Sequence, residues 1–272
     1  IDLGIKNFDE AINCQEKKID LIITDHHLPD KKLPNAFLVI NPKVENEKSP
    51  SADLCGCGLV YKLVSALSTH FPKEIDEKFL KWNLDLVAIS TISDVVPLTL
   101  ENRILAKYGL IVLRKTKNIG LQELYKVAQI KKTEIDAYTA GFKIGPRINA
   151  PGRIDKATKS FELLVTLDRQ EAEKLALDLN KKNENRQAKM GEAIDEATEE
   201  IIKNKLNKNK IIILCGSWVK GILGPSASRI SELFFRPVIL FTKEDETYVG
   251  SARSVAGIDI INLLNHSKKF IL

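Results

Sequence analysis

The run Ile19-Asp20-Leu21-Ile22-Ile23 breaks off at Thr24-Asp25-His26-His27, and a second run, Phe37-Leu38-Val39-Ile40, breaks off at Asn41-Pro42. Short β-branched runs bounded in this way read as buried strands, because such side chains fit a pleated surface covered by neighbours. Around them lie Phe8 to Gln15 and Leu59 to Leu67, which have helical spacing, and Leu84 to Ile92, an apolar stretch ambiguous between strand and helix whose length and alanine favour a buried helix ending near Asp94. Strands alternating with helices predict an α/β fold with a parallel sheet covered on both faces. Side chains that do chemistry in such folds gather at the carboxyl ends of the strands. Asp25-His26-His27 is therefore expected to project into that crevice.

From about Arg169 to Asn204 runs one long amphipathic pattern with no proline and a single glycine, Gly191. Leu175, Leu179, Met190, Ala193, Ile194, Ala197, Ile201 and Ile202 recur mostly at three- and four-residue steps, which suits a connecting helix between domains. A new strand is expected at Ile211-Ile212-Ile213-Leu214, opening a second, smaller α/β domain. The expected division is 1–167, a connecting helix over 168–207, and 208–272. At roughly 100–200 residues per domain, two domains also suit a chain of 272 residues. The chain opens on Ile1 and closes on Lys268-Lys269-Phe270-Ile271-Leu272, which reads as a sequence cut at both ends.

With 44% hydrophobic and 28% charged residues the composition is that of an ordinary globular protein. A net charge of +5 permits a polyanionic partner without demanding one. No apolar run reaches the roughly 18 residues of a membrane span, and no signal-peptide pattern is present. The four cysteines are too sparse for a disulfide framework, and Cys55-Gly56-Cys57 lacks zinc-site spacing. They are expected to be small buried thiols in a reducing cytoplasm.

Three acids and two histidines carry the chemistry. Three hydrophilic side chains straight after a buried strand are costly unless something satisfies them, and carboxylate with imidazole is a competent set for Mn²⁺, Mg²⁺ or Zn²⁺. The competing reading is a turn whose polar groups satisfy one another. Asp94 sits between the apolar stretches Leu84–Ile92 and Val95-Val96-Pro97-Leu98, where it either caps a helix or is held by a cation. Asp2, in Ile1-Asp2-Leu3-Gly4-Ile5, is read as the tail of a further parallel strand that brings its acid to the same sheet edge.

Thr24-Asp25-His26-His27-Leu28-Pro29 resembles the signature of the DHH phosphoesterase family. Further segments match that family's single-strand-specific DNA exonucleases in order: Ile40-Asn41-Pro42, Ser93 to Leu98, Glu101-Asn102-Arg103, Gly141 to Arg153, Arg236-Pro237 and Gly250-Ser251-Ala252-Arg253-Ser254. The resemblance runs along almost the whole chain. It implies a phosphoesterase domain joined by a long helix to a smaller substrate-binding domain, and two divalent cations, Mn²⁺ or Mg²⁺. It assigns Asp2 as the bridging carboxylate, His26 and Asp94 as ligands of one ion, His27 as a residue near the scissile phosphate, and Asp25 as the support of the histidines.

Arg147 and Asn149 match a DNA-backbone contact, since guanidinium pairs bidentately with phosphate oxygens. The competing reading of Arg147 is an interdomain salt bridge. Arg153 belongs to the same segment, and Arg186 on the connecting helix is a further backbone candidate. Ser251 and Arg253 match a pocket for the 5′-phosphate end. The implied activity is 5′→3′ hydrolysis of single-stranded DNA in repair and recombination, by a cytoplasmic monomer. Single-strand-binding protein and a helicase are the implied partners.

The chain departs from the pattern in three places. The family's first motif, an Asp-x-Asp ahead of everything here, is not in the sequence. Neither is the glycine-rich closing motif of the second domain. On that basis this stretch alone is expected to bind metal weakly and to hydrolyse little. Val219, after Trp218, stands where these relatives usually carry histidine. Two other readings compete: an oligonucleotide or cyclic-dinucleotide phosphodiesterase of the same family, and a non-catalytic DNA-binding scaffold.

Overall fold

The computed structural model describes residues 1–44, 52–154 and 157–267, with the side chains of residues 153 and 154 outside that description. Helix α1 (Phe8–Glu16) leads into strand β1 (Ile22–Thr24), which pairs in parallel with β2 (Leu38–Ile40). Parallel pairing needs a long crossover, and residues 25–37 supply it as irregular chain rather than as a helix. Among the described residues this sheet has only these two strands. Ile22, Phe37 and Leu38 are exposed, so the expected cover on both faces is not seen there.

The segment before α1 is not a strand. Asp2 has a left-handed backbone (φ 60°), which no strand residue adopts, and its N–H donates to the Thr24 carbonyl at 2.7 Å. The acid still reaches the end of β1, by a turn rather than by sheet pairing.

Helices α2 (Gly56–Ser68), α3 (Glu77–Trp82), α4 (Leu84–Ser93) and α5 (Leu100–Arg114) follow. The N-terminus of α2 is capped by Cys55, whose Sγ accepts from the Gly58 N–H at 3.3 Å. Leu54, Val87 and Leu105 form the small core under α2, α4 and α5. Helix α6 (Ile119–Val127), a π-helical turn (Thr139–Ile144), α7 (Gly145–Ile154) and α8 (Thr158–Val165) lead to the 35-residue α9 (Arg169–Lys203).

Beyond α9, β3 (Ile212–Cys215) pairs in parallel with β4 (Val238–Glu244), which pairs antiparallel with β5 (Thr247–Arg253). Helix α10 (Lys220–Phe234) makes the crossover and α11 (Ile260–His266) closes the description. The apolar stripe of α9 (Ala193, Ala197, Ile201) packs with Ile212 and Leu214 of β3, Val238 and Leu240 of β4, and Ile222, Leu223, Ala227 and Ile230 of α10.

The chain forms two compact units that do not follow chain order. One comprises Ile1–Pro146 with Leu163–Ala176, and the other Arg147–Glu162 with Leu177–Leu272. The long helix contributes its first turns to one unit and the remainder to the other. None of the described helices is long and apolar enough to cross a membrane.

Candidate metal centre and phosphate pocket

Asp25 is the keystone of the first site. It follows β1 directly and is 1% exposed. One carboxylate oxygen accepts the Ile5 N–H at 3.0 Å. The other accepts the His26 N–H at 2.7 Å, the His27 N–H at 3.1 Å and His27 Nδ1 at 2.7 Å. Burial alone would push this carboxyl up, but the hydrogen bonds from Ile5, His27 and His26 outweigh it and hold it at about 2. The acid is therefore ionised at neutral pH and fixes the proton of His27 on Nδ1, leaving Nε2 to face outward. Asn41, itself buried, holds the same loop from β2, donating from Nδ2 to the His27 carbonyl at 2.9 Å.

The His26 ring lies 4.6 Å from that of His27, centroid to centroid. Its Nε2 lies 3.1 Å from an Asp2 carboxylate oxygen and 3.6 Å from an Asp94 carboxylate oxygen. Ligand atoms of Asp2, His26 and His27 all lie within 4.8 Å of one another. His27, expected to face the phosphate, is thus itself one of the three residues whose ligand atoms come together.

The helix-cap reading of Asp94 meets a physical objection. Asp94 is the C-cap of α4, where the helix dipole is negative and a carboxylate is disfavoured. Its side chain is half-exposed and brought beside another acid. Two carboxylates converging on one imidazole nitrogen form a hard, anionic donor set that suits a divalent cation, so the residues fit the expected metal.

Backbone strain accompanies both acids. Asp2 and Val95, the residue after Asp94, have φ of 60° and 56°. For non-glycine residues this costs about 1–3 kcal/mol each, and such strain persists where the surroundings over-determine it. Gly56 shows how tightly Asp2 is held: a Cβ there would lie 2.0 Å from an Asp2 carboxylate oxygen. In Cys55-Gly56-Cys57 the glycine, not the thiols, bears on the site. Cys55 is buried and serves as a cap, and burial pushes the Cys57 thiol up to about 12. Cys215 is exposed, contrary to the expectation of uniformly buried thiols; it ends β3, whose burial alternates along the strand.

The other expected residues lie in the second unit. On β5, one Arg253 terminal nitrogen (Nη1) lies 3.3 Å from Ser251 Oγ, and Arg253 Nε donates to Ser228 Oγ of α10 at 3.0 Å. A Cβ at Gly224 would stand 3.0 Å from the other terminal nitrogen, Nη2, so a glycine lets α10 approach the guanidinium. Ser251, Arg253 and Ser228 thus make a compact cluster of donors. Arg147, on α7, donates from Nε to Asn180 Oδ1 of α9 at 2.8 Å, a bond within this unit. Burial lowers its guanidinium pKa and the nearby Glu184 opposes that. Arg186 is buried on α9 and donates to Asn183 Oδ1 at 3.1 Å. Asn149 is exposed on α7, and the Arg153 side chain lies outside the described residues. Val219 is the N-cap of α10 and gives no side-chain cap, while Trp218 beside it donates from Nε1 to Glu196 at 2.8 Å.

With this geometry established, residues 1–91 match the family model described as DHH family, N-terminal domain. It is similar along all its length to the single-stranded-DNA-specific exonuclease RecJ of Bacillus subtilis, with 36% identity over 273 residues. The RecJ of Haemophilus influenzae is 37% identical over 97% of the chain. The chain spans 34% and 48% of these two relatives. Among solved structures, RecJ of Thermus thermophilus in complex with Mn²⁺ superposes with a TM-score of 0.84 at 30% identity, covering all of this chain and 39% of that one. The same protein in complex with Mg²⁺ gives 0.74 at 30% identity, covering 93% of this chain and 37% of that one.

Proposed function

We propose that the protein is a divalent-metal-dependent 5′→3′ exonuclease that hydrolyses phosphodiester bonds of single-stranded DNA in repair and recombination. The observation that carries this reading is the convergence of Asp2 and Asp94 on His26 Nε2, beside an Asp25–His27 pair. Similarity to part of RecJ along the whole of this chain supports it, as do the Mn²⁺ and Mg²⁺ named for the solved relatives. On this reading Asp2, His26 and Asp94 hold Mn²⁺ or Mg²⁺, within a pair of ions. When bound, such ions ionise a water and neutralise charge on the leaving oxygen.

The chain's own residues do the rest. Asp25 orients the His27 ring through Nδ1, so that Nε2 is presented to the scissile phosphate group. Ser251 and Arg253 hold a terminal 5′-phosphate by charge-assisted hydrogen bonds. Arg147, Asn149, Arg153 and Arg186 serve the sugar-phosphate backbone. The same reading makes the protein a cytoplasmic monomer that works beside single-strand-binding protein and a helicase.

The test is a substrate comparison with the full-length protein and Mn²⁺, on 5′-phosphorylated single-stranded DNA, the matching duplex, and dinucleotides. Processive loss of the single strand alone supports the reading. Preference for dinucleotides would replace it with the phosphodiesterase of the same family.

A further inference from the structure

We infer that Asn102 is a positioning residue for the metal centre, pinning together the two loops that set the Asp2 and Asp94 carboxylates; this rests on the metal-site reading above. Asn102 lies in the first turn of α5 and is 3% exposed. Its Nδ2 donates to the carbonyl of Asp53 at 2.8 Å and to the carbonyl of Pro97 at 3.0 Å. Those two carbonyls belong to different loops, and each loop ends on one side of the site.

Asp53 lies two residues before Cys55 and three before Gly56, the first residue of α2, against which the Asp2 carboxylate is pressed. Pro97 lies three residues after Asp94, in the loop that carries the left-handed Val95. Cys55 Sγ and Thr91 Oγ1 lie 3.5 Å apart, which ties the start of α2 to α4 three residues ahead of Asp94. A shift at either carbonyl therefore changes the approach of one acid to His26 Nε2.

The residue type fits the task. A primary amide places two N–H donors on one planar nitrogen; serine offers one, leucine none, and aspartate would turn oxygen toward two carbonyls. Asn102 Oδ1 is buried without a hydrogen-bond partner among the described residues. A buried acceptor left unsatisfied is a cost, and an apolar side chain of the same shape would avoid it. The amide is kept for its two donors.

The test compares Asn102→Leu and Asn102→Ser with Leu113→Ala, which cavitates the far end of the same helix, where Leu113 is fully buried. Mn²⁺ binding is measured by calorimetry well below each melting temperature, with kcat and KM on single-stranded DNA. Asn102→Leu is expected to weaken Mn²⁺ binding and lower kcat by about 10- to 100-fold, as for lost second-sphere support of metal ligands, with KM nearly unchanged. Asn102→Ser, keeping one donor, falls between, and it carries the comparison should the leucine variant not fold. Leu113→Ala loses stability but keeps its Mn²⁺ affinity. Wild-type affinity in both Asn102 variants overturns the inference, as does an equal loss in Leu113→Ala. A wild-type protein that binds no Mn²⁺ overturns the metal-site reading itself.

Discussion

Asp25 and Gly56 act on the site without contributing ligands. Asp25→Ala removes the anion that holds His27 Nδ1 and three backbone N–H groups. The expected result is a fall in kcat of about 10- to 100-fold with DNA binding retained, read from steady-state kinetics. Gly56→Ala makes an opposing pair of predictions. Alanine is the better helix former, yet its Cβ would displace the Asp2 carboxylate. Thermal melting should show an unchanged or higher midpoint, while Mn²⁺ titration shows weakened binding; unchanged Mn²⁺ affinity would remove Gly56 from the account. The histidine pair was legible because an acid and two imidazoles straight after an apolar run have few inexpensive environments. Gly56 was hidden between two cysteines, and its role depends on a left-handed Asp2 that no periodicity announces. Asn41 and Asn102 stood inside matched segments, but an amide's partners are carbonyls distant in sequence.

At the scale of elements, α4 and α9 were read nearly to their ends, α4 from the length and alanine of an apolar run and α9 because 35 residues give periodicity room to show. The first five residues were misread as a strand, because so short an apolar segment does not distinguish a strand from a turn packed against one. Element packing also makes a pH prediction. Glu123 of α6 is almost fully buried and meets Lys126 Nζ at 2.8 Å and Arg169 at the start of α9. Burial raises its carboxyl pKa, but the two cations outweigh that and the net direction is downward. A depressed folded-state pKa contributes stability above the unfolded value, near 4.5, that is lost as pH falls through the folded value. Glu123→Gln should therefore flatten the acid limb of the stability curve, and at neutral pH lower stability by roughly 1–3 kcal/mol. Urea titrations at several pH values measure both; an unaltered acid limb would show that the pair contributes nothing.

The proposed site residues are divided between two separately packed units. The acids and histidines lie in the first, and Ser251, Arg253, Arg147 and Arg186 in the second. The second unit's core depends on α9, whose fully buried Ile201 packs against β3, β4 and α10. Ile201→Ala should cost about 2–5 kcal/mol, measured by denaturant unfolding, with Mn²⁺ affinity at the first unit's site unchanged. The interleaving of the units along the chain was not legible, because contacts made by residues 147–162 and 163–176 depend on packing partners distant in sequence. The central claim is that Asp94, at the disfavoured end of its helix, is there to hold a cation. Its most direct test is the rate of Mn²⁺-dependent digestion of 5′-phosphorylated single-stranded DNA by the full-length protein and its Asp94→Ala variant. The account predicts a loss of more than about 100-fold that excess Mn²⁺ only partly restores; digestion at the wild-type rate would contradict it.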